Sequence, residues 1–412
     1  MAVATVGSRS LVARLAALLG ALAVGLALAE LSVRLVAPGG SVYAVLPPSL
    51  HVTLRPDSAL LPGVHGEAEY VVNSVGIRGP EFPPDSVPAF AILAVGGSTT
   101  ENLFLDADET WPGVMRRLLP RTADGRAVWV GDVGKSGLNA RDHAVQVKYL
   151  LAQWPRINAV IVLSGVNDLT MALAASDGYR APPPITDPAA EAMQLRRAFS
   201  MVPGPIFASN TEYLIATGAP WYKRTAVYQL LKRARFLWEN RLRHSRLAED
   251  PEGRVLLLWR GHREHATRWL DTLPDLMPAL EEYRTNLNVI VDRVRASGAE
   301  LVLLTQPTFW SDSMSAREKS LLWLGGTGDF QVEEGHAYYT TGALARAMAQ
   351  FNDVMLDVCR ARNLSCVDLA AQLPKDTTVF YDDTHFTEHG ADLVGRIVAR
   401  QLASHPPFLP AP

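Results

Sequence analysis

Cysteine is nearly missing from this chain: only Cys359 and Cys366 occur among 412 residues. A disulfide-rich scaffold and a four-cysteine zinc site are excluded on that count. Net charge is nearly missing too, with 39 Lys and Arg against 42 Asp and Glu, a formal −3. Without a positive field there is nothing to hold a nucleic acid, and no nucleic-acid partner is expected. No internal repeat of solenoid or propeller length is present. Apolar residues at 48% and charged residues at 20% give a globular balance, not a disordered one. The length predicts one large domain with an insertion, or two domains.

One long hydrophobic run is present. From Leu11 to Val36 it is broken only by Ser32 and the charged Arg14, Glu30 and Arg34. A helix of about 20 residues spans a bilayer, so 11–36 reads as a transmembrane anchor behind a cytoplasmic N-terminus, 1–10. Arg14 and Arg34 sit near the ends, where their stems can snorkel to the headgroups. Arg9 and Arg14 precede the run, whereas Glu30 partly offsets Arg34, which puts the remainder of a single-pass protein outside the cytoplasm. Ala27-Leu28-Ala29 also resembles a signal-peptidase site, and a secreted product is the alternative. A core helix is a third reading. An extracytoplasmic setting permits a Cys359–Cys366 disulfide; two buried thiols are the other reading.

Beyond a juxtamembrane lead-in, 37–88, short β-branched runs alternate with helical patterns. Phe90–Val95, Ala127–Val130, Val160–Leu163, Leu301–Leu304 and Cys366–Leu369 read as buried parallel strands. Pro278–Ala296 and Thr387–Ser404 read as amphipathic helices, the first stopped by Gly298. The alternation predicts a doubly wound α/β domain over 89–405, with a tail at 406–412. A mostly helical insertion, 170–276, interrupts it, with one further strand expected at Val255–Trp259. Within the insertion, Trp221–Leu247 carries Lys223, Arg224, Lys232, Arg233, Arg235, Arg241, Arg243 and Arg246 against Glu239, interleaved with Trp221, Tyr228, Phe236 and Trp238. Such a stretch suits an anionic leaflet or glycan, or is a solvated face packed on a core.

Three segments at predicted strand ends carry chemistry. Gly96-Gly97-Ser98-Thr99-Thr100 holds a serine on a sharp turn. Ser164-Gly165-Val166-Asn167-Asp168 offers a side-chain amide to a developing oxyanion, or is an ordinary Asn/Asp turn. Asp382-Asp383-Thr384-His385 places a carboxylate three residues ahead of an imidazole, where it can fix the tautomer of a general base.

Together, in this order, the three segments resemble the SGNH hydrolase superfamily of GDSL-type esterases and lipases. The resemblance covers about Phe90–Leu169 and Pro278–Ser404. It reaches upstream to Asn73-Ser74-Val75-Gly76-Ile77-Arg78-Gly79 and Thr110-Trp111-Pro112, which look like the lead-in of membrane-anchored members. It implies a flavodoxin-like three-layer α/β/α domain with Ser98 as nucleophile, His385 as base and Asp382 as its orienter. Asn167 is then an oxyanion donor. The glycine block best matches Gly134-Lys135-Ser136-Gly137, which adds the N–H groups of Gly137 and Ser98. The family's Gly-Asp-Ser is Gly96-Gly97-Ser98 here. The lost aspartate is outside the proton relay, so the chemistry is expected to survive.

His385-Phe386-Thr387-Glu388-His389 also matches the H-x-x-E-H zinc pattern, but a third ligand and a long helical context are wanting. Thr100 stands where an α/β-hydrolase elbow needs its last glycine. The expectation is a serine esterase acting on an acetyl or short acyl ester of an envelope glycan or lipid, with no cofactor or metal. A glycan O-acetyltransferase on the same triad and a non-catalytic glycan scaffold are the alternatives. The insertion is expected as a lid or wall, and Trp310 with the loop to about Gly328 on the rim. Oligomeric state is not legible.

Overall fold

Five apolar runs line up as one parallel sheet in the computed structural model, which describes residues 6–36, 43–84, 86–200, 220–228, 230–232, 234–235, 238 and 250–409. The strands are β1 (Ala89–Gly96), β2 (Ala127–Asp132), β3 (Ile157–Leu163), β4 (Glu300–Leu304) and β5 (Ser365–Val367), in the spatial order β2-β1-β3-β4-β5. Every neighbouring pair is parallel, from Ala89↔Ala127 on one side to Leu304↔Val367 on the other. This is the flavodoxin-like order, in which the chain reverses direction beside β1 and leaves a crevice at the carboxyl ends of β1 and β3. β1 and β3 are buried almost end to end, which is why their sequences are continuously apolar.

The sheet is flanked by α2 (Trp111–Leu118), α3 (Ala140–Gln153), α4 (Val166–Ala175), α6 (Met277–Ser297), α7 (Thr341–Arg362) and α8 (Glu388–Ala403); α1 (Val6–Val36) precedes them, and α5 (Val255–Glu264) holds loop carbonyls of Leu60, Leu321 and Tyr381 through Arg260. α2 packs on α8, while α3 and α7 pack on α6, so the helices form two groups about the sheet. The starts follow from local chemistry. Thr110 accepts the Gly113 N–H at the head of α2, with Pro112 in the first turn. Thr387 caps α8 through the Gly390 N–H at 2.9 Å. Gly298, in the left-handed region at φ +81°, ends α6.

Two expected strands differ. Val255–Trp259 is the first part of α5. Leu256 is buried but Leu257 and Leu258 are exposed, and the inward face continues at His262 and Arg263. A short apolar run without strand alternation suits either element, and here the helical period wins. β5 ends at Val367, because the Asp368 side chain caps a helical turn starting at Leu369. The insertion also supplies a two-residue strand, Trp269–Leu270, paired with Tyr338–Tyr339.

Cys359 near the end of α7 and Cys366 in β5 form a disulfide with a Cα–Cα distance of 6.3 Å. Closing a loop this short removes unfolded-chain entropy worth about 2.5 kcal/mol. The double variant Cys359→Ser/Cys366→Ser is therefore expected to lose roughly that much unfolding free energy in urea titrations. An unchanged midpoint and slope would contradict it.

The chain divides into two compact units: one holds Met1–Val42 with Val202–Glu239, the other Tyr43–Met201 with Asn240–Pro412. In the first, Leu11–Leu35 of α1 is a helix of 25 residues with mean hydropathy 2.2, long and apolar enough to cross a membrane. Arg34 does not extend away alone; it pairs with Glu30 at 2.7 Å. Glu30 also accepts the backbone N–H groups of Ala226 and Val227 at 2.8 and 3.0 Å, where a helical turn begins. Of the basic aromatic stretch, Trp221, Tyr222 and Trp238 are exposed. Arg233, Phe236, Glu239, Arg241, Arg243 and Arg246 lie outside the described residues.

Candidate active site

The three sequence segments meet at the carboxyl ends of the strands, all within the second unit. Ser98 follows β1 and opens a single helical turn, Ser98–Glu101. Its Oγ lies 2.7 Å from His385 Nε2. The opposite ring nitrogen, Nδ1, is 2.8 and 2.9 Å from the two oxygens of Asp382. The loop that carries both residues is held tightly, since Asp382 Oδ1 also accepts the Thr384 and His385 N–H groups at 3.0 and 2.9 Å. The Tyr381 ring stacks on the imidazole at 5.6 Å.

Electrostatics follow from burial and pairing. Burial alone would raise the Asp382 carboxyl, but the adjacent imidazole, the Thr384 N–H and the Trp323 indole hold it below the usual carboxylate range. Burial alone would lower His385, yet Asp382 and the more distant Asp383 and Glu101 leave it raised above 6.5. The imidazole is a stronger base than a free one and carries its N–H on the Asp382 side.

Asn167 is the second residue of α4, after β3. Its Nδ2 donates to Leu138 O at 2.7 Å, using one amide hydrogen. A Cβ placed on Gly97 would come within 2.7 Å of the same nitrogen. With glycine at this position the amide sits close to the backbone beside Ser98. Gly137 lies in the loop after β2 at φ +79°, where a side chain would be strained. That loop is tied to the serine segment twice. Lys135 N donates to Gly96 O at 3.1 Å, and Glu101 Oε2 accepts both Ser136 N and Ser136 Oγ, at 2.7 and 2.5 Å. The backbone N–H groups of Ser98 and Gly137 have no acceptor among the described residues.

Several supporting residues escaped the sequence reading. Glu101 is buried, and its other oxygen accepts Tyr70 OH at 2.8 Å. Arg78, buried in the lead-in block, caps the carbonyls of Glu101, Asn102 and Leu105. Trp323 donates its indole N–H to Asp382 at 3.0 Å. Asp383 accepts Trp310 Nε1, Trp323 N and Leu324 N at 2.7, 2.7 and 3.1 Å. Trp310, expected on the rim, is 1% exposed. Its indole N–H is bound by the Asp383 carboxylate, so it is a buried support of the triad loop.

Residues 94–393 match the model of the GDSL-like lipase/acylhydrolase family. No match was found among curated proteins. Solved structures that resemble the chain include Axe2, an acetylxylan esterase from Geobacillus stearothermophilus, at 12% identity and TM-score 0.37, covering 76% of this chain and 94% of that one. A member of the lipolytic protein G-D-S-L family from Veillonella parvula DSM 2008 matches at 8% identity and TM-score 0.37, over 77% and 100%. LAE5, an alpha/beta hydrolase enzyme from the metagenome of Lake Arreo, Spain, matches at 11% and TM-score 0.37, over 77% and 95%.

Proposed function

Since the chain belongs to the GDSL-like lipase/acylhydrolase family and is an ester-hydrolysing enzyme, we propose that it is a serine esterase working through an acyl-enzyme on Ser98. The observation that carries this reading is the 2.7 Å contact between Ser98 Oγ and an imidazole whose other nitrogen is held by Asp382. His385 takes the hydroxyl proton as Ser98 attacks the ester carbonyl. The N–H groups of Ser98 and Gly137 and the second amide hydrogen of Asn167 receive the oxyanion. His385 then protonates the departing alcohol, and water, activated by the same imidazole, releases the acid. The chemistry calls for no cofactor.

One oxyanion donor is worth about 3–4 kcal/mol in the transition state. Asn167→Ala is expected to lower kcat about 10²–10³-fold with little change in KM. Gly97→Ala is expected to act the same way, because the added methyl displaces the amide. Steady-state kinetics check both; a change confined to KM would remove Asn167 from the oxyanion site.

The substrate proposed is an acetyl or short acyl ester on an envelope glycan or lipid. It is supported by the apolar N-terminal helix, read as an anchor with the catalytic domain outside the cytoplasm, and by the disulfide, which suits an oxidising compartment. A panel of p-nitrophenyl esters from acetyl to long acyl, with and without a glycan acceptor, tests it. Preference for long chains would overturn the short-acyl assignment, and acyl transfer outpacing hydrolysis would make the enzyme a transferase.

A further inference from the structure

A cavity of about 520 Å³ opens beside the triad's supporting loops, lined among others by Arg260, Arg263, Glu264, Trp269, Lys319 and Thr340. Its volume falls in the range of about 300–1,000 Å³ typical of small-molecule sites. None of the residues that carry the proposed ester chemistry lines it, so it is a separate feature.

Its charge is unbalanced. Arg263 is 4% exposed, and among the described residues its guanidinium donates only to the carbonyls of Leu324 and Tyr339. Arg260 donates to the carbonyls of Leu321, Leu60 and Tyr381 at 3.0, 2.9 and 3.3 Å. Neither these two nor Lys319 makes an ion pair with a carboxylate among the described residues. Asp382 and Asp383 act on the arginines from farther away. Asp382 is already matched by His385, and the Asp383 oxygens by three N–H donors. Three cations thus line the cavity against one acid, Glu264. Of the three only Arg263 is buried, with Arg260 half-buried and Lys319 exposed; a buried cation is costly until an anion meets it.

The remaining lining pairs an aromatic face with hydroxyls, beside the apolar Ala316 and Leu322. The Trp269 indole is 50% exposed, leaving ring surface open, while the Arg263 guanidinium lies 5.0 Å from its centroid. Ser320, Thr340 and Thr341 add hydroxyls. A pyranose ring can lie against the indole and share hydrogen bonds with these groups while an anionic substituent meets the cations. The cavity is linked to the triad through Arg260, which holds Tyr381 O, and through Leu322, whose neighbour Trp323 bonds Asp382.

We propose that this cavity binds a carboxylated sugar, making the protein's ligand an acidic, uronate-bearing glycan. The proposal deepens the esterase reading and rests on it for the link to turnover, whereas binding is measured without turnover. Glucuronate, glucose, glucose 6-phosphate and inorganic phosphate are titrated into the full-length Ser98→Ala protein by calorimetry. Glucuronate is expected to bind in the millimolar range, with glucose at least about tenfold weaker. Lys319→Glu and Trp269→Ala are each expected to weaken glucuronate about tenfold, while neither changes p-nitrophenyl acetate turnover in the protein that keeps Ser98. Glucose binding as tightly as glucuronate, or glucuronate binding untouched by Lys319→Glu, would overturn the proposal. Tighter binding of either phosphate would overturn it in favour of a phosphate site. Selective glucuronate binding in a protein without esterase activity would uphold the cavity assignment and count against the serine-esterase reading.

Discussion

Purified Ser98→Ala is expected to lose between about 10⁴ and 10⁶ in kcat/KM on a p-nitrophenyl ester. The hydroxyl is the atom that forms the proposed acyl bond, and its one side-chain partner among the described residues is His385. The two act as a unit, so His385→Ala should cost about as much, and the double variant hardly more than either single one. Neither change removes a core contact, because both residues are only partly buried. Melting temperatures should therefore stay near that of the parent, which separates lost chemistry from lost structure. A pre-steady-state assay with excess activated ester supplies the second readout: a burst in the parent and none in Ser98→Ala. Full turnover by the serine-less protein would end the proposal.

The second large effect is expected at Asp382→Asn, about 10⁴-fold in kcat. The side chain keeps its shape, but an amide NH₂ cannot accept from both His385 Nδ1 and the Trp323 indole as the carboxylate does. The imidazole then favours the wrong tautomer. The pH profile carries an independent signature. Protonated His385 cannot act as a base, so kcat/KM falls as pH drops through its pKa. That pKa is raised above 6.5, since Asp382, joined by Asp383 and Glu101, together outweigh burial, which alone would lower it. The acid limb of the parent should therefore have its midpoint above pH 6.5. With the carboxylate gone, burial prevails and the limb should move to lower pH. A limb at the same pH in Asp382→Asn would show that this carboxylate does not tune the base.

What was legible in the sequence follows from where information is local. β1 and β3 are covered on both faces, so Ala91–Val95 and Ala159–Leu163 are apolar without a break and stand out as strands. Ser98, Asn167 and the Asp382–His385 pair each sit at an element end, where short polar blocks interrupt apolar runs. Asp382 and His385 are three apart, so their contact is written in the spacing. The supports are not. Trp323 reaches Asp382 across 59 positions, and Glu101 reaches Ser136 across 35. Such bonds leave no period and no motif, and a tryptophan in a loop reads equally well as rim or prop. Val255–Trp259 misleads for the opposite reason: five residues are too few to separate a strand from one turn of helix, and the deciding inward positions, His262 and Arg263, lie beyond the run.

The margins of the sheet have a consequence of their own. β5, at one margin, is three residues long. β2, at the other, is met by antiparallel bridges from Arg78 to Asp132 and from Arg121 to Ala127. A foreign strand seeking a row of open amides and carbonyls finds a stub on one side and, on the other, a strand already bridged at both its ends. Lateral growth of this sheet into fibrils is thus disfavoured at both flanks, and a concentrated preparation that clouds is expected to do so through some other surface.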